Sequence, residues 1–294
     1  MRLSTMTNLL YEPRDDGEGL LISVRNTANI GFRVMDFSMC SMLKGLPELT
    51  GDNWESVVYK IANEAVKLGV EFSQSHLPFA KVASRRKTPF DDGCEQNEYF
   101  MKMSMRAIDI SGMLGVKWAV VHPVNLLAES ENDRESDVKY NHFIYDKYIE
   151  RASSRSVGIA FENLCDIDGK RRFGVAADEL ISIVESYNLE VGVCWDFGHA
   201  NRSFCNSDIP LEKILPYIKA THVDDNFGTD DIHTLPYFGN VNWGKIMGVL
   251  KNSTYSGDFN FELGVTKRMP YNLKIPTAKL AFEIGNHLIS IAKK

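Results

Sequence analysis

The sequence has no long hydrophobic run, no closely paired cysteines and no excess of basic charge. No stretch of its 294 residues approaches the ~18 consecutive apolar residues of a membrane-spanning helix, and residues 1–19 lack the apolar core of a signal peptide. The five cysteines are odd in number and none follows CxxC spacing, which argues against a disulfide framework and a thiolate zinc motif. We therefore predict a cytoplasmic protein with reduced thiols and no membrane partner.

The charge balance is mildly acidic. The chain has 33 Lys and Arg against 39 Asp and Glu, a net charge of −6 at pH 7, which gives no global electrostatic reason to bind nucleic acid or an anionic membrane. We do not expect nucleic acid as a partner, although a local basic groove stays open. The length suits one α/β barrel of ~250 residues without a linker, so residues 1–294 are predicted to form a single domain.

The most informative stretch runs from Val191 to Asn201 and reads VGVCWDFGHAN. A short apolar run ends in Asp196, and His199 follows three residues later. Strand residues alternate between faces, so Trp195 and Asp196 are predicted to point in opposite directions. A carboxylate at the end of a buried strand is costly unless it is paired or bound to a metal. Asp196 therefore either caps the next helix or binds a metal, and both interpretations stay open here.

Strand-like and helix-like segments alternate along the whole chain. We predict strands at 5–10, 32–39, 70–76, 117–122, 157–163, 191–196, 218–225 and 258–264, and helices at 18–29, 54–68, 95–115, 137–155, 177–188, 211–216, 242–250 and 277–292. This alternation is typical of a parallel sheet with helical crossovers, and eight units predict an α/β fold closed into a (β/α)8 TIM barrel. A doubly wound open sheet is disfavoured because no Gly-rich phosphate loop follows the first strand.

Six of the predicted strands end in a metal-ligand type of side chain: His76, His122, Glu162, Asp196, His222 and Glu262. Barrel enzymes carry their chemistry at the carboxyl ends of the strands, where these residues would meet. Imidazoles and carboxylates bind divalent metals such as zinc or manganese, and a cation would relieve the repulsion between clustered carboxylates. The alternative is a purely hydrogen-bonded polar cluster. The triplet Asp231-Ile-His233 adds two ligands on one side of an extended segment.

The order and spacing of these residues resemble the xylose isomerase-like barrel superfamily. That superfamily contains sugar and sugar phosphate isomerases and epimerases, as well as endonuclease IV. The segments that carry the resemblance cover predicted strands three to eight: Ser75-His76, His122-Pro123, Phe161-Glu162-Asn163, Asp196-Phe-Gly-His199, His222, Asp231-Ile-His233 with Gly239, and Phe261-Glu262.

The resemblance implies a divalent-metal enzyme that acts on a small carbohydrate, a sugar phosphate or a polyol. The implied metal ligands, for manganese, zinc, cobalt or magnesium, are Glu162, Asp196, His222 and Glu262. In the epimerases of this family the two glutamates also form an acid/base pair, which moves a proton through an enediolate. The other candidates contact substrate or bind additional ions: His76, His122, His199, Asp231 and His233. A homo-oligomer is a possible assembly.

Endonuclease IV supplies a second interpretation of the same residues. Its three zinc ions are held by nine ligands whose types all match in this chain, which would support phosphodiester hydrolysis at abasic sites in DNA. Against it, Asp196-Phe-Gly-His199 replaces Asp-Thr-Cys-His, and no Lys or Arg lies between Lys219 and Lys245 to neutralise phosphates. The sugar-isomerase interpretation has a departure too, because the Arg with which ketose epimerases hold substrate is missing after His222. A metal-retaining binding protein is a third class, disfavoured because both glutamates are retained.

Overall fold

The computed structural model describes residues 1–79, 95–124, 134–166, 171–205 and 210–293. The strands are β1 (Arg2–Met6), β2 (Val34–Ser38), β3 (Glu71–His76), β4 (Trp118–Val121), β5 (Gly158–Glu162), β6 (Val191–Asp196), β7 (Ile218–His222) and β8 (Asp258–Phe261). The helices are α1 (Gly19–Ile30), α2 (Met42–Gly45), α3 (Pro47–Thr50), α4 (Trp54–Leu68), α5 (Glu95–Met113), α6 (Arg134–Ser154), α7 (Ala177–Glu185), α8 (Phe197–Phe204), α9 (Leu211–Ile214), α10 (Trp243–Lys251) and α11 (Tyr271–Ala292), with a 3-10 turn at Leu215–Tyr217. Within these ranges, none of the helices is both long and apolar enough to cross a membrane.

The eight strands run parallel and form one sheet in the order β7-β6-β5-β4-β3-β2-β1-β8. The two edge strands of this sheet, β7 and β8, also meet each other, because Val223, directly after β7, forms a parallel bridge with Phe261 of β8. The hydroxyl of Thr221 donates to the Asp258 carbonyl at 2.7 Å and accepts from the Asn260 N–H at 3.2 Å. These bonds complete the ring, and the predicted (β/α)8 TIM barrel is confirmed.

The two faces of the sheet carry different side chains. Trp195 packs into the large core between strands and helices, whereas Cys194 belongs to a small separate cluster with Val120, Ala160 and Ala220. These four small and medium side chains line the inside of the ring. The alternation of faces predicted for β6 is therefore confirmed, and it places Asp196 on the same side as Cys194.

The first strand was predicted at the wrong position. It runs from Arg2 to Met6 rather than over 5–10, because Arg2 pairs with Asp258 on β8 and so fixes the register. Leu9 and Leu10 are buried in the core, but they lie in the turn that follows the strand. Burial of that turn produced the apolar pattern that suggested a strand.

Several helices also differ from the prediction. The short helices α2, α3 and α8 were not predicted, and α8 begins directly after β6. The last helix begins at Tyr271 rather than at 277 and contains Pro276. Pro276 is the sixth residue of this helix, past the first turn, so it removes one hydrogen bond inside the helix.

Candidate metal centre

Four predicted ligands converge at the carboxyl end of the barrel. Glu162, Asp196 and His222 are the last residues of β5, β6 and β7, and Glu262 follows β8 by one residue. Their ligand atoms all lie within 4.8 Å of one another, and we call these four residues the primary group. The strand ends of a parallel barrel meet at one rim, so the fold itself assembles the group from residues up to 100 positions apart.

The imidazole of His222 lies at the centre of the primary group. Its Nδ1 is 3.1 Å from Glu162 Oε1 and 2.8 Å from Glu262 Oε2. Its Nε2 is 3.7 Å from Asp36 Oδ2 on β2, and that carboxylate oxygen accepts a hydrogen bond from Gln74 Nε2 at 2.8 Å. Asp36 therefore faces the far side of the ring from beyond hydrogen-bond distance, and His222 Nε2 has no hydrogen-bond partner among the described residues.

Asp196 caps a helix, and its second carboxylate oxygen stays available for the other interpretation that the sequence left open, a metal ligand. Its Oδ1 accepts the backbone N–H of His199 at 2.6 Å and so caps α8. Its Oδ2 has no hydrogen-bond partner among the described residues and lies 4.0 Å from His222 Nδ1. One carboxylate oxygen thus begins the helix, while the other is left facing the primary group.

The electrostatics of the primary group favour a bound cation. Burial raises the pKa of Asp196 well above its usual range. Burial also opposes ionisation of Glu162, but the facing His222 and His122 outweigh it and hold the pKa of that carboxyl well below its usual range. Glu162 Oε2 and Asp196 Oδ2 are buried carboxylate oxygens without a hydrogen-bond partner in the described part of the chain. Such oxygens are costly unless a cation satisfies them, so this donor set fits a divalent metal.

A second group of ligands shares Glu162 with the primary group. The Nε2 atoms of His76 and His122 are 3.2 Å apart, and they lie 3.2 Å and 3.0 Å from Glu162 Oε2. Ligands about 2.0–2.1 Å from a tetrahedral ion are about 3.3–3.4 Å apart, so the three atoms have nearly that spacing. Burial lowers the pKa of His122 to about 4, which leaves its ring neutral at pH 7. We call these residues the two-histidine group.

A third set, the loop group, consists of His199 on α8 with Asp231 and His233 in the loop after β7. The Nε2 atoms of both histidines are 3.3 Å from Asp231 Oδ2. His199 Nδ1 is 3.7 Å from Asp196 Oδ2, which connects this set to the primary group. The structure therefore brings all nine predicted residues into one continuous cluster, and it leaves none of them elsewhere.

The loop group depends on one buried carboxylate that sequence analysis missed. Asp225 Oδ1 accepts the backbone N–H groups of Asn226 and Val241 at 2.9 and 3.1 Å. Its Oδ2 accepts from the Tyr237 N–H and from Trp243 Nε1, both at 2.9 Å. Asp225 was assigned to the end of strand seven, which in fact ends at residue 222. An acidic residue three positions after the strand, at the start of a long loop, was the available signal.

A second missed carboxylate lies behind the loop group. Asp224 is fully buried, and its Oδ2 is 3.4 Å from His233 Nδ1. Neither of its carboxylate oxygens has a hydrogen-bond partner among the residues described. Burial raises the pKa of Asp224. The only signal in the sequence was the adjacent pair of acidic residues after His222.

Known proteins resemble this chain in both sequence and fold. A family model described as a xylose isomerase-like TIM barrel matches residues 24–279. The uncharacterized protein MJ1311 of Methanocaldococcus jannaschii is 26% identical over 238 residues, which cover 76% of this chain and 79% of that protein. A D-tagatose 3-epimerase-like protein has the same fold, with a TM-score of 0.72 at 21% identity over 98% of this chain and 100% of the other. The IOLI protein, crystallised with a binding zinc atom, has a TM-score of 0.72 at 18% identity, over 98% of this chain and 99% of that chain.

Proposed function

The chain belongs to the xylose isomerase-like TIM barrel family, and we propose that it is a divalent-metal-dependent isomerase or epimerase of a small carbohydrate. The observation that carries this proposal is the convergence of three carboxylates and one imidazole in the primary group. The likeness in fold to a D-tagatose 3-epimerase-like protein supports the same class of reaction. The substrate is a sugar, a sugar phosphate or a polyol-derived ketone.

The primary group would hold the ion through Glu162, Asp196, His222 and Glu262. Asp196 Oδ2, a buried carboxylate oxygen of this group without a hydrogen-bond partner among the described residues, supports that assignment. When bound, a divalent ion there would supply Lewis-acid stabilisation of the negative charge that develops on substrate oxygens. Manganese, zinc, cobalt and magnesium all accept such a donor set.

Glu162 and Glu262 are the proposed acid/base pair. They come from β5 and β8, and both face Nδ1 of His222. Burial opposes their ionisation, but His222 outweighs it and lowers the pKa of both carboxyls. Both are therefore ionised at neutral pH and able to accept a proton. One takes the proton from the carbon beside the substrate carbonyl, which leaves an enediolate, and the carboxylic acid so formed can return that proton to the adjacent carbon. Delivery to the opposite face requires the other glutamate to take up a proton from solvent first, and the first glutamate then releases its proton to solvent.

His122, in the two-histidine group, is proposed to contact a substrate oxygen. His122 is the most accessible imidazole of the two-histidine group, with 17% of its side chain exposed, against 2% for His76. Its ring is neutral, because burial lowers its pKa, and a neutral imidazole can donate one hydrogen bond and accept another. A polyhydroxylated substrate offers both types of partner.

Solvent-deuterium incorporation tests the proposal. The manganese-loaded protein is incubated in deuterated water with a panel of ketoses and ketose phosphates, and the carbon-bound deuterium is measured by mass spectrometry. We expect exchange with at least one ketose, and we expect Glu262→Gln to abolish it. The matched control is Glu283→Gln, an exposed glutamate on α11. Absence of exchange over the whole panel, or full exchange by Glu262→Gln, would contradict the proposal.

A three-metal phosphodiesterase is the second candidate, and one observation favours it. Distances of 3.0–3.3 Å separate Glu162 from His122 and His122 from His76 in the two-histidine group, and Asp231 from each histidine of the loop group, so the cluster offers ligands for more than one ion. Cleavage of a duplex with a single abasic site, by protein loaded with zinc, is the direct test. Cleavage without any ketose exchange would replace the isomerase proposal, whereas exchange without cleavage would leave it standing.

A further inference from the structure

A cysteine lies beside the loop group. Cys165 follows β5 by three residues, is 2% exposed, and has its Sγ within 4.8 Å of the ligand atoms of His199 and Asp231. Sequence analysis had treated all cysteines as ordinary thiols, because none of them has metal-ligand spacing. Cys165 reaches the cluster through the fold, since the segment after β5 and the start of α8 meet at the same rim.

His199 has a ring nitrogen whose lone pair is available to bind a metal ion. His199 Nδ1 is 2.8 Å from the carbonyl oxygen of Asn163. A carbonyl only accepts hydrogen bonds, so Nδ1 carries the proton and the neutral ring has its lone pair on Nε2. That Nε2 is 3.3 Å from Asp231 Oδ2, close to the spacing of about 3.3–3.4 Å between two ligands of one tetrahedral ion.

The sulfur is held in place from behind. Arg202 Nη1 donates a hydrogen bond to Cys165 Sγ at 3.1 Å, and Arg202 lies one turn after His199 on α8. Metal ligands are commonly oriented by hydrogen bonds from neighbouring residues that do not touch the ion. A positively charged donor to sulfur also suits a ligand that carries negative charge when metal-bound.

We propose that Cys165, His199 and Asp231 form a separate cation site that takes a thiolate-binding divalent ion of the zinc class. The thiol gives up its proton to solvent when the ion binds, so the ligands are a thiolate, a neutral imidazole and a carboxylate. The primary group has no sulfur and is rich in carboxylates, which suits harder ions such as manganese or magnesium. The two positions therefore select ions by different chemistry.

This inference goes beyond the proposed function and does not depend on turnover. It also differs from the nine ligands that the nuclease resemblance implies, which contain no sulfur. Thiolate ligation has its own spectroscopic signature. Cobalt(II) bound to a thiolate shows a near-ultraviolet sulfur-to-metal charge-transfer band, whereas cobalt bound only to nitrogen and oxygen does not.

The experiment titrates the reduced, metal-free full-length chain with cobalt(II). We expect the charge-transfer band to appear in the unaltered protein and to be lost in Cys165→Ser. Cys205→Ser is the matched control and should keep the band. Cys205 is an exposed cysteine at the end of α8, the helix that carries His199. Glu262→Gln should keep the band too, which separates this site from the failure or success of the proposed isomerase.

A second measurement uses only the unaltered protein, so it does not depend on the folding of a variant. Zinc should bleach the cobalt band at equimolar concentration, whereas magnesium in large excess should leave it. Cobalt uptake without a charge-transfer band would overturn the proposal and leave a site of nitrogen and oxygen ligands only. A band that survives Cys165→Ser but is lost in Cys194→Ser would also overturn it, since the sulfur donor would then be Cys194.

Discussion

The carboxylate of Asp224 occupies the space that a side chain on Gly198 would need. A Cβ on Gly198 would lie 2.7 Å from Asp224 Cγ and would overlap its Oδ1. Gly198 is the second residue of α8, so the absence of its side chain lets this helix begin directly over the segment after β7. The same contact keeps Asp224 Oδ2 at 3.4 Å from His233 Nδ1, and so it orients the ring of His233.

Gly198→Ala should therefore destabilise the protein. We expect a loss of about 1–3 kcal/mol in the free energy of unfolding, because overpacking a close contact forces the backbone to shift. Gly248→Ala is the control, since Gly248 is also helical but a Cβ there meets no atom within 4 Å. It should be neutral or should stabilise by up to about 1 kcal/mol. Urea unfolding in the presence of a chelator measures both, and equal stability of the two variants would refute the steric argument.

The buried carboxylate of Asp225 should control the loop that carries Asp231 and His233. In Asp225→Asn, an amide NH2 replaces one carboxylate oxygen and so faces N–H donors instead of accepting from them. We expect a loss of about 1–3 kcal/mol, the cost of leaving buried donors unsatisfied. We also expect faster amide hydrogen exchange over residues 226–242. Asp230→Asn, at an exposed position on the same loop, is the control, and a similar increase in exchange there would show that Asp225 has no special role.

The sequence was sufficient to predict the barrel and the six strand-end residues, because both follow from regular patterns, whereas His199, Asp231 and His233 were identified from local motifs and the family resemblance. Apolar runs alternate with helical periods, and parallel strands bring their carboxyl ends to one rim. A side chain such as Glu162, at the last position of a strand, is therefore placed by the fold class alone. Element boundaries were less predictable. β1 begins at Arg2, which pairs in register with Asp258 of β8 and also forms an ion pair with it, and no local pattern indicates this distant partner.

The residues that sequence analysis missed all lie in connecting segments. Cys165 approaches His199 only because α8 begins immediately at the end of β6, and that short helix was not predicted. The roles of Asp224 and Asp225 depend on which backbone N–H groups and which glycine the loop after β7 brings next to them. Contacts of this kind are set by loop geometry, which residue spacing does not encode.

Glu162 belongs to two ligand groups, so its substitution should cost more metal than that of Glu262. In Glu162→Gln, both the primary group and the two-histidine group lose a shared carboxylate. In Glu262→Gln, only the primary group does. We expect the metal content after zinc loading and gel filtration to fall further in Glu162→Gln. Equal metal content in the two variants, with circular dichroism confirming that both are folded, would mean that Glu162 does not bridge two positions.

The metal-free protein should become less stable as pH rises, and metal should reverse this trend. Burial alone would lower the pKa of His222, but the facing Cys194, Glu262 and Glu162 outweigh it and raise the pKa well above the ordinary value of 6.5. Burial likewise opposes charging of His199, and Asp196 and Asp231 outweigh it, so its pKa is also raised. A raised pKa in the folded state contributes stability that is complete below pH 6.5 and is lost as pH rises through the folded-state pKa.

Protons on these histidines also compete with metal, so metal affinity should increase with pH, and binding should release protons. Calorimetric titration with zinc in two buffers of different ionisation enthalpy measures the protons released. Urea unfolding across the same pH range, with chelator and then with zinc, measures the change in stability. Because His222 and His199 must both be neutral to bind an ion, proton release should be greatest at the acidic end of the range and should decline as pH rises. Binding without proton release at pH 6 would show that neither ring is protonated in the metal-free protein and would contradict the electrostatic argument.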